Sequence, residues 1–332
     1  MRTGENPAKR IIPAFRPERV GVALLVYIPE QSGYFEQSLQ VLDLQIDSLR
    51  ANTGQPFNLL VFDNGSCAEV KAKLLKWQEQ GRIDLFFSSS HNHGKAGAIN
   101  WMFAAMTNEL IVFSDSDVFF RQGWLEESLK IYAAFPNAGM IAAQPCFYDT
   151  LKGKGTAPAR LSGADFERFD YSPSRAVVAE YVKGLGFGEE VIAKYINAQL
   201  PAVRAKSGQV SAVLAASHMQ FMISSETARQ VAPIPAEWAL SPEEDLALDQ
   251  KVDASGFLHL SALKPYVMHM GNNYDPSLRA ELGSAYQHLE HGPSARTAGQ
   301  GGLLERMARV PRLRPLLRGL YKRLFHALAN TR

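Results

Sequence analysis

The feature that most constrains this chain is a series of short, almost wholly apolar runs separated by stretches of helical period. VGVALLVYI (20–28), FNLLVF (57–62) and ELIVFS (109–114) are rich in β-branched and aromatic residues. Runs of that length and composition read as strands buried on both faces. Between the first two, Leu39, Leu42, Ile46 and Leu49 form a helical stripe that breaks at 52–56. A helix over 70–80 closed by Gly81, a strand over 83–88, and helices over 97–106 and 124–135 continue the pattern. Strands alternating with helices predict an α/β fold with a mostly parallel central sheet and helices on both faces. Such sheets bind ligands beyond the carboxyl ends of their strands. Asp63 and Asp115 both stand at such ends.

Beyond residue 146 the pattern loosens. Residues 147–210 read as an insertion or lid-like segment with one helix over 189–200, 212–223 returns to the sheet, and 242–254 is helical. Of the 332 residues, 46% are hydrophobic and 20% charged, which excludes a disordered chain and a collagen-like repeat. Cys67 and Cys146 are too few for a disulfide scaffold. The charged, proline-containing start and the lack of a long apolar run predict neither a secretory leader nor a spanning helix, and a reducing cytoplasm is the simplest compartment.

The net charge of +2 is unevenly spread: +3 over 1–20, +7 over 303–332, and −8 over the body between them. An acidic body with basic ends points to an anionic partner, and a body without a broad basic face argues against nucleic acid. In the last segment, Leu313, Leu316, Leu317, Leu320, Tyr321, Leu324 and Leu328 make an apolar stripe beside Arg318, Lys322 and Arg323. That is a basic amphipathic helix, suited either to docking on the chain's own core or to an anionic leaflet.

Five constellations carry chemistry. Ser114-Asp115-Ser116-Asp117 places two carboxylates around the end of a buried strand, as a hard divalent cation and its diphosphate require; a solvated turn is the plainer reading. Asp63-Asn64-Gly65-Ser66 is either a strand-to-helix turn capped by Ser66 or a carboxylate placed for a nucleobase edge. Asn92-His93-Gly94-Lys95, with Asn100 beyond it, caps a helix or approaches a phosphate. Glu243-Glu244-Asp245 opens a helix behind Ser241 and Pro242, where acids complement the helix dipole or supply a general base. His269 ends an apolar segment as an ordinary hydrogen-bonded histidine or as a metal ligand.

The order of these motifs resembles the family 2 glycosyltransferases of the GT-A fold. Their D-x-G-S-like turn, N-x-G-x-x-x-A-x-N stretch, D-x-D motif and later E-D motif match Asp63–Ser66, Asn92 to Asn100, Ser114 to Asp117, and Glu244-Asp245. The resemblance spans about residues 20–270. It implies inverting transfer of one sugar from a nucleotide-diphosphate sugar, with Mn²⁺ or Mg²⁺ as cofactor. By the same resemblance Asp63 contacts the base, Asp115 the ribose or the metal, and Asp117 and His269 the metal. Tyr27, Glu30, Asn64, Asn92, Gly94, Lys95 and Asn100 complete the donor site. Asp245, with Glu244, is the implied base that deprotonates the acceptor hydroxyl. The usual P-T-Y-N-E signature is altered to Val26-Tyr27-Ile28-Pro29-Glu30 and keeps only its glutamate in place. Q-x-x-R-W is absent, as in single-addition enzymes rather than processive synthases.

The implied organisation is an extension over 1–19, a transferase domain over 20–272, a linker over 273–302 and the basic tail over 303–332. Residues 20–145 form its nucleotide-binding half, and 146–272 its acceptor half with the 147–210 insertion. The expected acceptor is a glycan or a lipid-linked glycan, in surface polysaccharide or glycolipid synthesis, reached at the membrane if the tail binds there. A non-catalytic scaffold of the same fold and a sugar nucleotidyltransferase are the alternatives. The latter is disfavoured because 27–33 lacks the basic residue its phosphate loop needs.

Overall fold

The computed structural model describes residues 16–147, 161, 165–235 and 242–282. Its organising element is a ten-stranded sheet with strand order β3-β2-β1-β4-β10-β6-β11-β9-β8-β7. The strands are β1 (Val20–Val26), β2 (Phe57–Asn64), β3 (Leu85–Ser89), β4 (Leu110–Ser114), β6 (Ala138–Ala142), β7 (Phe166–Tyr171), β8 (Leu200–Ala205), β9 (Val210–Val213), β10 (Gln220–Ser224) and β11 (Leu258–Ser261). β3, β2, β1 and β4 pair in parallel. β10 runs antiparallel between β4 and β6, so β6 and its parallel neighbour β11 again point the same way as β1. The mostly parallel sheet expected from the alternating pattern is present.

The apolar runs form strands because both faces of this sheet are covered. Along β1, Val20, Val22, Leu24 and Val26 enter one core cluster and Ala23 and Leu25 another. Helices α1 (Ser38–Asn52), α2 (Ala68–Glu79) and α4 (Trp124–Ala134) bring Leu42, Leu74 and Trp124 to the first cluster. Helices α3 (Gly94–Ala105), α7 (Ser225–Val231) and α8 (Pro242–Ala254) bring Met102, Val231 and Leu248 to the second.

Within 147–210, the residues from 165 onward form regular elements. β7, β8 and β9 extend the sheet as antiparallel strands, and α5 (Arg175–Gly184) and α6 (Glu189–Tyr195) pack Val178, Val182 and Ile192 against Leu200 and Val213. The helix expected over 189–200 stops at Tyr195, and Leu200 already belongs to β8. Residues 212–223 return to the sheet, as the end of β9, a loop and β10. Period reading misses β7 because no residue of it is fully buried and its apolar content is low.

A separate two-stranded sheet pairs β5 (Val118–Phe120) with β12 (Val267–His269) in antiparallel fashion, His269 opposite Val118. Beyond it, α9 (Ser277–Glu281) buries Leu278 beside Leu44 and Phe119, while Arg279 binds Asp43 and Asp47 of α1 at 2.8 and 2.9 Å. Residues 277–282, expected in a linker, are therefore docked on the core. No helix among the described residues is long and apolar enough to cross a membrane. The basic segment 303–332 lies outside the described residues.

Candidate active site

The loops that leave the carboxyl ends of β1, β2 and β4 carry the predicted site residues, and the structure treats them differently. Asp63, at the end of β2, is fully buried. Its Oδ1 accepts the Ser66 N–H at 2.8 Å, its Oδ2 accepts the Ser88 hydroxyl at 2.7 Å, and Lys71 Nζ lies 3.7 Å away. Ser66 is not the helix cap: Cys67 holds that position, and Ser66 Oγ instead accepts the Ile28 N–H at 3.0 Å. This turn braces the β1 and β3 loops. Asn64 does the same for the next loop, donating to Asn92 Oδ1 at 2.9 Å and Gly94 O at 3.2 Å and accepting the His93 N–H. Gly65 makes that approach feasible: φ is +93°, and a Cβ there would meet the His91 and Asn92 backbone at 3.0 and 3.1 Å. Asn92 also accepts the Gly94 N–H, which ties the start of α3.

Asn100 is remote from these loops in its bonding. Its side chain donates to Ile234 O and accepts the Ile234 N–H, each at 2.8 Å, and so clamps the segment after α7 onto α3. Glu30 is exposed and accepts from Ser32, whereas Tyr27 stands edge-on to Phe35 in a small cavity of about 70 Å³ that Asp117 and Asn272 also line. Glu244 and Asp245 fall in the first turn of α8.

The Asp115–Asp117 turn is braced from behind and open in front. Buried Gln45 of α1 donates to Ser114 Oγ at 3.0 Å and to Asp115 O at 2.7 Å, and its Oε1 accepts the Val118 N–H. The Asp115 N–H donates to Met219 O at 2.8 Å. Gln45 was not legible as a site residue, although a polar side chain on the apolar side of α1 was a signal of it. In front, Lys95 Nζ binds Asp115 Oδ2 at 2.9 Å and His218 O at 3.1 Å. These residues, with Gln144, Tyr181 and His269, line a cavity of about 200 Å³.

The β5–β12 pairing brings His269 to Asp117, with Nε2 3.1 Å from Oδ2. The other ring nitrogen, Nδ1, donates to the Gly184 carbonyl at the end of α5. Burial opposes a charge on this ring, but the hydrogen bond and charge of Asp117 outweigh it and push the pKa up to about 9. Asp117 Oδ1 is buried without a hydrogen-bond partner. That orphaned oxygen, beside an imidazole whose far nitrogen is fixed by a backbone carbonyl, is the donor set a divalent cation takes. No three His, Cys, Asp or Glu side chains form a complete metal cluster among the described residues. Asp117 and His269 thus fit part of a metal's ligand set.

Comparison with known proteins adds a partial family match. Residues 34–177 match the family described as Glycosyl transferase family 2. An uncharacterized glycosyltransferase of Nostoc sp. is 28% identical over 102 residues, covering 30% of this chain and 31% of that protein. The match therefore spans under a third of that relative's length. A Pyrobaculum calidifontis mannosyltransferase, solved with GDP-Man and Mn²⁺, superposes with a TM-score of 0.45 at 14% identity over 75% of this chain and 56% of that one. TarS 1–349 of S. aureus, solved with UDP-GlcNAc, gives 0.44 at 14% identity over 78% of this chain and 62% of that one. Both likenesses are too distant to assign a ligand. The family match covers residues 34–177, under half of the chain, and falls on a mostly parallel sheet whose strand ends carry the expected motifs in the expected order.

Proposed function

We propose that the chain is a metal-dependent, inverting glycosyltransferase that moves one sugar from a nucleotide-diphosphate sugar to a hydroxyl of a glycan or lipid-linked acceptor. The observation that carries this reading is the unsatisfied, buried Oδ1 of Asp117, which lines the smaller cavity, beside His269, which lines the larger one. Asp117 and His269 would hold Mn²⁺ or Mg²⁺, with Asp115 beside them. When bound, the cation stabilises the charge gained by the departing nucleoside diphosphate.

The chain's own residues supply the rest. Lys95 holds Asp115 in place and adds a positive charge at the cavity wall. The Gly184 carbonyl holds the Nδ1–H of His269, so Nε2 is the nitrogen that would coordinate once it has given up its proton. Asp63, Asn64 and Asn92 keep the donor loops in register. Asp245 is the base that takes the proton of the acceptor hydroxyl as its oxygen attacks the anomeric carbon and the bond to the diphosphate breaks; Glu244 shares its helical turn. One displacement from the face opposite the leaving group inverts the anomeric centre. The basic segment 303–332 is the proposed contact with an anionic membrane, which suits surface polysaccharide or glycolipid synthesis.

A thermal-shift screen of UDP-, GDP-, dTDP- and CMP-sugars with and without Mn²⁺ tests the donor. A ligand at a hundred times its Kd stabilises the fold by about 2.7 kcal/mol. The expected result is a metal-dependent shift with one nucleotide class. Transfer that survives both Asp117→Ala and Asp245→Asn would sink the mechanism. Co-sedimentation of the full chain with anionic vesicles, unchanged on removal of 303–332, would remove the membrane contact.

A further inference from the structure

One guanidinium ties the Asp117–His269 pair to the antiparallel half of the fold, and no sequence motif includes it. Arg121 follows β5, four residues after Asp117. Its Nη1 and Nη2 donate to the two carboxylate oxygens of Glu180 on α5, at 2.7 and 3.0 Å. Nη1 also donates to Pro265 O at 3.3 Å, Nη2 reaches Met268 Sδ on β12 at 3.6 Å, and the backbone N–H donates to Tyr266 O at 2.9 Å. Glu281 of α9 lies 3.7 Å from Nε. Arg121 therefore joins the strand that follows Asp117, the strand that carries His269, and the helix whose final residue holds the His269 ring.

That helix is held on two stripes. Val178 and Val182 pack in an apolar cluster with Leu200 and Val213. Glu180 and Gly184, also one turn apart, lie on the roughly opposite stripe, which faces β5 and β12. Gly184 meets His269 so closely that a Cβ would stand 2.6 Å from the His269 carbonyl oxygen and 3.1 Å from its Cβ. The Arg121–Glu180 pair is the polar tie on this second stripe, one turn before that contact. Its side chains are 26% and 27% exposed, and ion pairs with that access to water add little net stability. What the pairing supplies is direction. Two parallel N–H···O bonds from a planar fork fix distance and angle together, as a single ammonium does not. Tyr181 and Leu185 of the same helix line the larger cavity, so the tie also sets one of its walls.

We propose that Arg121 is a positioning residue for His269. Through Glu180 it sets how closely α5 stands to β12, and with that the hold of the Gly184 carbonyl on His269 Nδ1. The ring then keeps its Nε2 directed at Asp117. Arg121 acts through the ring it orients rather than on a substrate. This assignment rests on reading Asp117 and His269 as part of a metal's ligand set.

The test compares the full-length wild-type chain with Arg121→Met, Arg121→Lys, Glu180→Gln and the double variant Arg121→Met/Glu180→Gln, each with its melting temperature. The first readout is the His269 Nδ1–H proton in the NMR spectrum of the metal-free protein, with its rate of exchange with water. The second is the Mn²⁺ dissociation constant, titrated directly by electron paramagnetic resonance with and without UDP or GDP. In Arg121→Met the Nδ1–H signal is expected to move and its exchange to quicken about tenfold, since exchange follows the opening of the bond that protects the proton. The Mn²⁺ dissociation constant should rise about three- to tenfold, at or below the low end of what losing a ligand's own hydrogen-bond partner costs. Arg121→Lys, which keeps the charge without the fork, recovers part of both changes. The double variant should be no worse than Arg121→Met, because both changes remove the same interaction. An unmoved Nδ1–H signal in Arg121→Met would overturn the assignment whatever the metal does. Losses that only follow melting temperature across all the variants would overturn it as well. A wild-type chain that takes up no Mn²⁺ in any of these conditions would instead bring down the metal reading, and the Nδ1–H signal would still decide the positioning.

Discussion

Two strand-end turns of this chain look alike in sequence and behave in opposite ways. Asp63-Asn64-Gly65-Ser66 and Ser114-Asp115-Ser116-Asp117 each follow a buried parallel strand and each offer carboxylates. In the first, every oxygen of Asp63 has a partner within the fold and the side chain sees no solvent. In the second, Asp117 Oδ1 has none, and the carboxylate beside it pairs with Lys95 at a cavity wall. A buried acceptor left unmatched is costly, so a fold that keeps one is poised for something not part of the chain. Residue type marks both turns as candidates; the satisfaction of their oxygens separates a turn whose carboxylate is fully held by the fold from one that keeps an oxygen unmatched.

The sharpest way to break this contrast is to remove each carboxylate in turn. Asp117→Ala is expected to cost the most activity. Lewis-acid stabilisation of a leaving diphosphate is worth several kcal/mol, and each 1.36 kcal/mol is a factor of ten, so transfer should fall about a thousandfold. The melting temperature of the metal-free protein should hardly drop. A fall in melting temperature as large as the loss of activity would erase the distinction. Asp63→Ala should show the reverse. It strands the buried Ser66 N–H, whereas the exposed Ser88 can turn its hydroxyl to water. Denaturant unfolding should register about 1–3 kcal/mol, while the surviving folded fraction keeps its donor KM. A large rise in donor KM with little loss of stability would return Asp63 to a base-contacting role.

Gly184→Ala probes the open turn through its support. An added Cβ would sit 2.6 Å from the His269 carbonyl, so the end of α5 must move away from β12. The hydrogen bond that orients the His269 ring then weakens. Loss of such an outer partner typically reduces metal affinity by about ten- to a hundredfold. A metal titration of activity should therefore shift to higher Mn²⁺, with kcat at saturating metal nearly restored. An unchanged titration would separate His269 from the metal.

The parallel half of the fold was legible because both faces of its strands are covered, so β1, β2 and β4 read as continuous apolar runs. β7 was not, because it lies at the sheet edge with no residue fully buried and carries Glu167, Arg168 and Asp170. The site was legible where chemistry stays close along the chain, as in Asp115 and Asp117. It was not where partners meet only in space. Gln45 is about seventy residues from the turn it braces, and Arg121 and Glu180 pair across 59 residues. His269 lay between these cases: its residue type was suggestive, but only the register of β12 on β5 brings it to Asp117.

Asn100 offers the smallest and most discriminating test, since motif order placed it with the donor site and the structure uses it elsewhere. Both ends of its amide are taken by the Ile234 backbone, at 2.8 Å each. A donor-binding role would require at least one of those bonds to be given up when the nucleotide arrives. If the clamp is its whole function, Asn100→Ala costs about 1–2 kcal/mol, the net value of two ordinary hydrogen bonds in a partly buried position. Donor affinity, read by calorimetry at saturating metal, should then remain within about twofold of the wild type, the scatter that context imposes on such contacts. Asn100→Asp should be worse than alanine for stability, because a carboxylate accepts the Ile234 N–H but faces the Ile234 carbonyl with no proton to donate. A donor affinity that collapses in Asn100→Ala while stability holds would place the residue with the open turn, and motif order would then outrank hydrogen-bond satisfaction as the guide to this site.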